Sequence, residues 1–185
     1  MSQQRRLHLR LFAGGVAAAA LAPVVLAQSV AQQAIGLNKT DMKAVPLPAV
    51  GSAFPLPASI ELIDGRKLQT QDLKGRLVVL EYWATWCPFC ARQMPHMEQL
   101  YKDHGHKGLI VLGLSIDKKA ADVLPYVRQR GMSFPVAWMS PELAKVLPKP
   151  VGLPVTIVVG RDGRVKLAES GELFPEDIAG IAKDL

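Results

Sequence analysis

Apolar positions fall into strand-like and helix-like patterns from Gly51 onward. Leu77–Tyr82 and Leu109–Ile116 are apolar at successive rather than alternate positions, which predicts two strands that are covered on both faces of a sheet. Between them, apolar residues recur at spacings of four, three and four, which predicts a helix with one face against that sheet. The positions of this stripe are Cys90, Met94, Met97 and Tyr101. Pro95 lies inside the predicted helix and should kink it.

Two turn signals flanked by apolar pairs predict hairpins at the two ends of this region. Asp64-Gly65 separates Ile60–Ile63 from Lys67-Leu68, and Asp162-Gly163 separates Thr156–Val159 from Val165–Ala168. The remaining predicted elements are a helix over Lys118–Arg130 that ends at Gly131, a strand over Phe134–Ala137, a helix over Pro141–Leu147 and a last helix over Glu176–Leu185. Strands that alternate with helices indicate an α/β domain with a mixed sheet over residues 51–185.

Residues 1–27 have the pattern of an export signal. A basic start with Arg5, Arg6 and Arg10 precedes an Ala-rich apolar run, and Val25-Leu26-Ala27 offers a cleavage site before Gln28. Ordinary secretion and twin-arginine export both remain open. The apolar run is short and contains Pro23, which favours cleavage over a retained N-terminal membrane anchor. Residues 28–50 lack periodicity and predict a flexible linker, so the domain over 51–185 is expected to act in the periplasm.

The charge balance excludes one class of partner. Arg5, Arg6 and Arg10 supply three of the six net positive charges of the 185-residue chain. No basic helix and no Lys/Arg run with interleaved aromatic residues is present, so we expect no nucleic-acid binding.

The chain contains two cysteines, Cys87 and Cys90, at the junction between a predicted buried strand and a predicted helix. Unpaired N–H groups and the positive end of the dipole favour a thiolate at the start of a helix. Pro88 suits the first helical position, where its missing N–H costs nothing. Lowering a thiol pKa from about 8.5 to about 7 raises the thiolate fraction at neutral pH from about 3% to about 50%. Cys87 is therefore the expected nucleophile, and Cys90 should resolve the mixed disulfide.

The run Val79–Cys90, with Pro95 five places after the second cysteine, resembles a thioredoxin-fold protein. More narrowly, it is similar to the exported TlpA/ResA/DsbE-like thiol–disulfide oxidoreductases. Further landmarks across 51–185 are Gly51-Ser52-Ala53-Phe54-Pro55, Leu114-Ser115-Ile116-Asp117, Phe134-Pro135-Val136, Gly152-Leu153-Pro154 and Arg161-Asp162-Gly163. The resemblance implies a central mixed β-sheet flanked by helices, an N-terminal hairpin, and a strand and helix inserted before Phe134. We further expect a monomer and predict no cofactor or metal site.

The resemblance assigns roles to further residues. Leu153-Pro154 is expected to lie opposite the cysteines with a cis peptide bond and to bind an extended substrate segment. Glu81 is expected to be a buried acid beneath Cys90 that relays its proton, the alternative being a structural carboxyl turned to solvent. Trp86 and Phe89 are expected to form an apolar rim beside the disulfide, although both could simply pack. Gln93 stands where exported reductases of this type often carry Glu, which argues against a dedicated role in cytochrome c maturation.

The implied activity is reduction of disulfides in exported proteins through a Cys87/Cys90 dithiol–disulfide cycle, with electrons supplied by a membrane thiol donor. The same chemistry run in reverse would make the chain a disulfide oxidase. An alternative of another class is a copper metallochaperone in which both cysteines bind Cu(I). A peroxiredoxin is disfavoured, because Ala84 and Leu80 occupy the places of the Thr/Ser and Pro of its peroxidatic motif.

Overall fold

The structure, a computed structural model, describes residues 46–147 and 149–185. The predicted signal over 1–27 and most of the predicted linker lie outside these residues. Within them, no helix has both the length and the apolar character needed to cross a bilayer. The strands are β1 (Ser59–Glu61), β2 (Lys67–Gln69), β3 (Leu77–Trp83), β4 (Leu109–Ser115), β5 (Val136–Trp138), β6 (Val155–Val159) and β7 (Val165–Ser170). The α-helices are α1 (Pro88–His104), α2 (Val123–Gln129), α3 (Leu143–Val146) and α4 (Pro175–Ile181).

Five strands form a mixed sheet in the order β5-β4-β3-β6-β7, and β1 and β2 form the separate antiparallel hairpin that the Asp64-Gly65 turn predicts. β3, β4 and β5 run parallel, connected by α1 and then by α2. β6 and β7 are antiparallel to their neighbours. β4 and α2 fill the stretch before Phe134, where the inserted strand and helix were expected. The predicted α/β architecture with a central mixed sheet is confirmed.

β3 lies at the centre of the sheet and is buried at all seven positions. Its odd-numbered residues, from Leu77 to Trp83, face a core formed with α1, α2 and α4. Its even-numbered residues face a second core formed with the hairpin and the α3 region. Met94 and Met97 of α1 lie in the first of these cores. Coverage on both faces explains why this strand reads as a continuous apolar run.

The second predicted helix differs most from its expected bounds. A single helix over Lys118–Arg130 was predicted, but a 3₁₀ turn over Ala120–Asp122 precedes α2, which begins only at Val123. This start places Pro125 in the first turn of α2, where its missing N–H requires no partner. A helix that began at Lys118 would have carried Pro125 in its interior. The predicted helix is therefore present, but its predicted start at Lys118 was wrong.

Candidate active site

The two cysteines lie where β3 passes into α1. Cys87 is the N-cap of α1, Pro88 is its first residue, and the Cys87 Sγ accepts a hydrogen bond from the Cys90 backbone N–H at 3.1 Å. The two Sγ atoms are at bonding distance, with the Cα atoms 5.3 Å apart. Cys90 is fully buried and Cys87 is 4% exposed. A helix N-terminus therefore offers a backbone N–H and a positive dipole end to the Cys87 sulfur, as the sequence predicts.

A buried carboxylate anchors the loop that leads into Cys87. Asp117, just beyond β4, accepts hydrogen bonds from the Thr85 N–H at 3.0 Å, the Thr85 hydroxyl at 2.6 Å and the Ser115 hydroxyl at 2.7 Å. Its backbone carbonyl accepts the Trp138 indole N–H at 2.7 Å. Because Thr85 lies two residues before Cys87, this network fixes the approach of the chain to the disulfide. Asp117 was noted in the sequence only as a family landmark.

The Leu153-Pro154 segment lies at the same end of the sheet as the cysteines. Val155, the first residue of β6, pairs with Tyr82 near the end of β3, so Pro154 lies beside the chain that leads into α1. The Leu153–Pro154 peptide bond is cis, as expected from the resemblance. Pro154 is buried, and its carbonyl accepts the Gly171 N–H at 2.9 Å. Within the described part of the chain, the backbone of Leu153 has no hydrogen-bond partner.

Glu81 projects from β3 into the core beneath α1 and is fully buried. The expectation of a buried acid is therefore met, and the alternative of a carboxyl turned to solvent is wrong. Burial raises the pKa of Glu81 to about 8, although hydrogen bonds from Thr156 and Gln93 act in the opposite direction. The Thr156 hydroxyl donates to Oε2 at 2.7 Å, and the Gln93 amide donates to Oε1 at 2.9 Å. A carboxyl with this pKa can hold or release a proton near neutral pH.

Gln93 lies on the first turns of α1, one turn after Cys90, and is 1% exposed. Besides its bond to Glu81, its Nε2 donates to the Thr156 hydroxyl at 3.0 Å, and its Oε1 accepts the Leu173 N–H at 2.7 Å. This side chain was considered in the sequence only as a departure from the family pattern. The structure places it in direct contact with Glu81.

The surface around the disulfide is aromatic. Trp86 is 65% exposed and Phe89 is 50% exposed, so neither serves mainly as core packing. The Arg92 guanidinium lies 4.7 Å from the centre of the Phe89 ring and forms a bidentate pair with Glu172 at 2.9 and 2.6 Å. The pair with Arg92 lowers the pKa of Glu172. The apolar rim predicted beside the cysteines is thus present and is flanked by an ordered ion pair.

Three features of the site were not found by sequence reasoning: Thr156, the Asp117 network, and the Arg92–Glu172 pair. Thr156 carried a weak signal, because a lone hydroxyl on a buried apolar strand needs a polar partner. The Arg92–Glu172 pair had no comparable signal, since its partners are separated by 80 positions. As to metals, the described residues contain no group of three or more His, Cys, Asp or Glu side chains arranged to hold an ion.

Comparison with known proteins agrees with this geometry. A model described as the AhpC/TSA family matches residues 50–168. The thiol-disulfide oxidoreductase ResA of Bacillus thuringiensis (strain Al Hakam) is 34% identical over 125 residues, which cover 66% of this chain and 71% of that protein. ResA of Oceanobacillus iheyensis is 27% identical over 162 residues, covering 88% and 84% of the two chains.

Among solved structures, a thioredoxin-family thiol:disulfide interchange protein from Chlorobium tepidum TLS superimposes with a TM-score of 0.65 at 27% identity. The match covers 73% of this chain and 97% of that one, which confirms the thioredoxin fold. Fold, family model and curated relatives therefore agree: this chain belongs to the AhpC/TSA family and is a thiol–disulfide oxidoreductase of the ResA type.

Proposed function

We propose that this protein is an exported disulfide reductase that acts on other exported proteins through Cys87 and Cys90. The observation that carries the proposal is the position of Cys87 at the N-cap of α1, with its sulfur accepting the Cys90 N–H at 3.1 Å. In the reduced enzyme the same donor would stabilise a Cys87 thiolate, which is the form that attacks disulfides.

The reaction proceeds in two exchange steps. The Cys87 thiolate attacks a substrate disulfide, which forms a mixed disulfide and releases one substrate thiol. The Cys90 sulfur then attacks Cys87, which releases the second substrate thiol and leaves Cys87 and Cys90 joined. The substrate gains two electrons and the enzyme loses two. A membrane thiol donor restores the dithiol and becomes oxidised in turn.

Glu81 manages the proton of Cys90 in both halves of this cycle. As a carboxylate it accepts the Cys90 proton when that thiol attacks. As a neutral acid it returns the proton when the enzyme disulfide is opened and Cys90 leaves. Its pKa of about 8 supports this role, because both forms are then populated near neutral pH.

The substrate segment is proposed to lie between the aromatic rim and the cis-proline loop. The backbone of Leu153, which pairs with none of the residues that the structure describes, offers one N–H and one carbonyl to an extended chain, in the manner of strand addition. Trp86 and Phe89 supply apolar surface that requires no particular side chain from the substrate. This arrangement suits unfolded or loosely folded segments that contain a disulfide.

The reductase direction is favoured by the residues between the cysteines. A strongly oxidising pair requires a reduced form that is specially stabilised. Beyond the Cys90 N–H at the helix N-terminus, Pro88 and Phe89 add neither a charge nor a polar side-chain donor that would stabilise the Cys87 thiolate further. A potential near −270 mV would agree with a reductase, and one near −120 mV would instead assign the oxidase direction.

The trapping experiment uses the Cys90→Ala variant, reduced and then offered a disulfide-containing protein. Cys87 should form a mixed disulfide that persists, because the resolving thiol is gone, and the adduct should be visible by non-reducing electrophoresis and mass spectrometry. The matched Cys87→Ala variant should form no adduct through the buried Cys90. An absent adduct with Cys90→Ala would contradict the assignment of Cys87 as nucleophile.

The location in the periplasm rests on the predicted signal over residues 1–27. Cell fractionation of the full chain, followed by mass measurement of the mature N-terminus, tests export and cleavage together. Recovery of uncleaved chain in the cytosol would contradict this part of the proposal.

A further inference from the structure

We propose that Gln93 is a positioning residue for Glu81, which fixes the orientation of the carboxyl and directs its proton onto Oε2. This inference rests on the proposed function in one respect, namely that the Glu81 proton takes part in the cycle. It concerns the position that departs from the family pattern, where neutral Gln replaces the frequent Glu.

The orientation of the Gln93 amide is determined by its partners. The Leu173 backbone N–H can only donate, so the atom facing it at 2.7 Å must be the amide oxygen. The amide nitrogen therefore faces Glu81 and Thr156, and each of its two hydrogens has an acceptor, at 2.9 and 3.0 Å. The Gln93 side chain is buried and has no alternative orientation that satisfies Leu173.

This fixed amide makes the two oxygens of the Glu81 carboxyl different. Oε1 faces an N–H donor, so a proton on Oε1 would oppose that donor. Oε2 faces the Thr156 hydroxyl, which can donate to a carboxylate or accept from a carboxylic acid. Oε2 is therefore the oxygen that takes up and releases the proton, and Gln93 enforces this choice.

The surroundings of Glu81 contain few other titratable groups. On α1, Cys90 is joined to Cys87 in the oxidised protein and has no thiol to titrate. From β6, the contact is the Thr156 hydroxyl, which carries no charge. The charged residues next to Gln93 and Leu173 in the chain, Arg92 and Glu172, are paired with each other at the surface. Farther along α1, Glu98 is paired with Lys102. No charged side chain among the described residues contributes to the shift in the pKa of Glu81, which burial dominates.

The experiment uses the oxidised protein labelled with ¹³C at the glutamate side-chain carboxyls, and follows the Glu81 signal against pH. In Gln93→Met the carboxylate loses one hydrogen bond, so the Glu81 midpoint should rise by about one to two pH units, the equivalent of a hydrogen bond to a charged group. The rate of the resolving step also depends on pH, and the midpoint of that dependence should rise by the same number of pH units. Gln99→Met is the matched control, because Gln99 is an exposed residue of the same helix and its replacement should leave the midpoint unchanged.

Gln93→Glu provides a second variant of the same size. One of its oxygens can still accept the Leu173 N–H, but the other meets Glu81 Oε1, so the two carboxyls must share a proton. The Glu81 signal should then titrate in two coupled steps, one of them above the wild-type midpoint. If Gln93→Met fails to fold, Gln93→Glu tests the inference on its own.

An unchanged Glu81 midpoint in Gln93→Met, or a single step at the wild-type midpoint in Gln93→Glu, would overturn the inference. Failure of the proposed function gives a different result. If Glu81→Gln resolved mixed disulfides as fast as the wild type, the relay would be wrong, while the carboxyl signals would still report on the role of Gln93.

Discussion

Replacing Glu81 with glutamine should make the oxidised protein more stable, and increasingly so as the pH rises. Glutamine has nearly the same shape and can keep both contacts: its oxygen accepts from Gln93, and its amide donates to the Thr156 hydroxyl. What disappears is the free-energy penalty of placing a charge in the core of the protein. The variant therefore isolates the contribution of ionisation at this position.

The size of the effect follows from the pKa of Glu81. Its ordinary value is 4.5 and its value in the fold is about 8, so the ionised folded state is disfavoured by about 5 kcal/mol at about 1.4 kcal/mol per pKa unit. The folded state binds the Glu81 proton more tightly than the unfolded state does. The stability that this bound proton confers is therefore fully present below pH 4.5 and is lost progressively as the pH rises through about 8. At pH 7 the wild type should already have lost about 3 kcal/mol relative to Glu81→Gln.

The assay is urea unfolding of the oxidised wild type and of Glu81→Gln at a series of pH values from acidic to alkaline. The difference in the free energy of unfolding between the two proteins should be small at acidic pH, increase through neutrality and level off in the alkaline range. Using the difference removes the contribution of all other titrating groups. The variant should also resolve mixed disulfides more slowly, which is the usual exchange of stability for function at a catalytic position.

Glu98→Gln is the matched control, because Glu98 should show the opposite sign. Burial alone would raise the pKa of Glu98, but hydrogen bonds from Ser133 and Lys102 lower it. Glu98 therefore contributes stability above its ordinary pKa, and that stability is lost as the pH falls. A difference between wild type and Glu81→Gln that did not change with pH would refute the reasoning on Glu81.

Two further predictions concern the residues around the site. Asp117→Ala leaves the Thr85 N–H, the Thr85 hydroxyl and the Ser115 hydroxyl without their acceptor. Urea unfolding should therefore show that the free energy of unfolding falls by about 2–4 kcal/mol, and the rate at which the Cys87 thiolate reacts with thiol reagents should change. Unchanged stability would contradict the anchoring role. Gly113→Ala on β4 should cost about 1–3 kcal/mol by overpacking, because an added Cβ would lie 3.0 Å from the Trp83 Nε1 and 3.1 Å from the Phe134 ring, whereas Gly180→Ala on α4 meets no atom within 4 Å and serves as the control. Equal melting temperatures for these two glycine variants would contradict the close packing at Gly113.

The elements of this protein were predictable where local pattern and burial agree. β3 is covered on both faces and reads as a continuous apolar run, predicted over Leu77–Tyr82 and observed over Leu77–Trp83. α1 is covered on one face, and the predicted stripe from Cys90 to Tyr101 lies within its observed range, Pro88–His104. The bounds of α2 were missed because Pro125 shifts the start of the helix toward the C-terminus. The resemblance supplied the cis bond before Pro154, which local sequence does not distinguish from an ordinary proline bond.

The sequence by itself determined the chemistry of this protein, because two cysteines three apart at a strand–helix junction are defined by neighbours along the chain. The tertiary structure alone decided the surroundings of Glu81. Thr156 lies 75 positions from Glu81, and Leu173 lies 80 positions from Gln93, yet the four residues form one hydrogen-bonded network around the buried carboxyl. Such contacts depend on which strand pairs with β3 and on how α1 packs over the sheet, and no local pattern of polar and apolar residues encodes that arrangement.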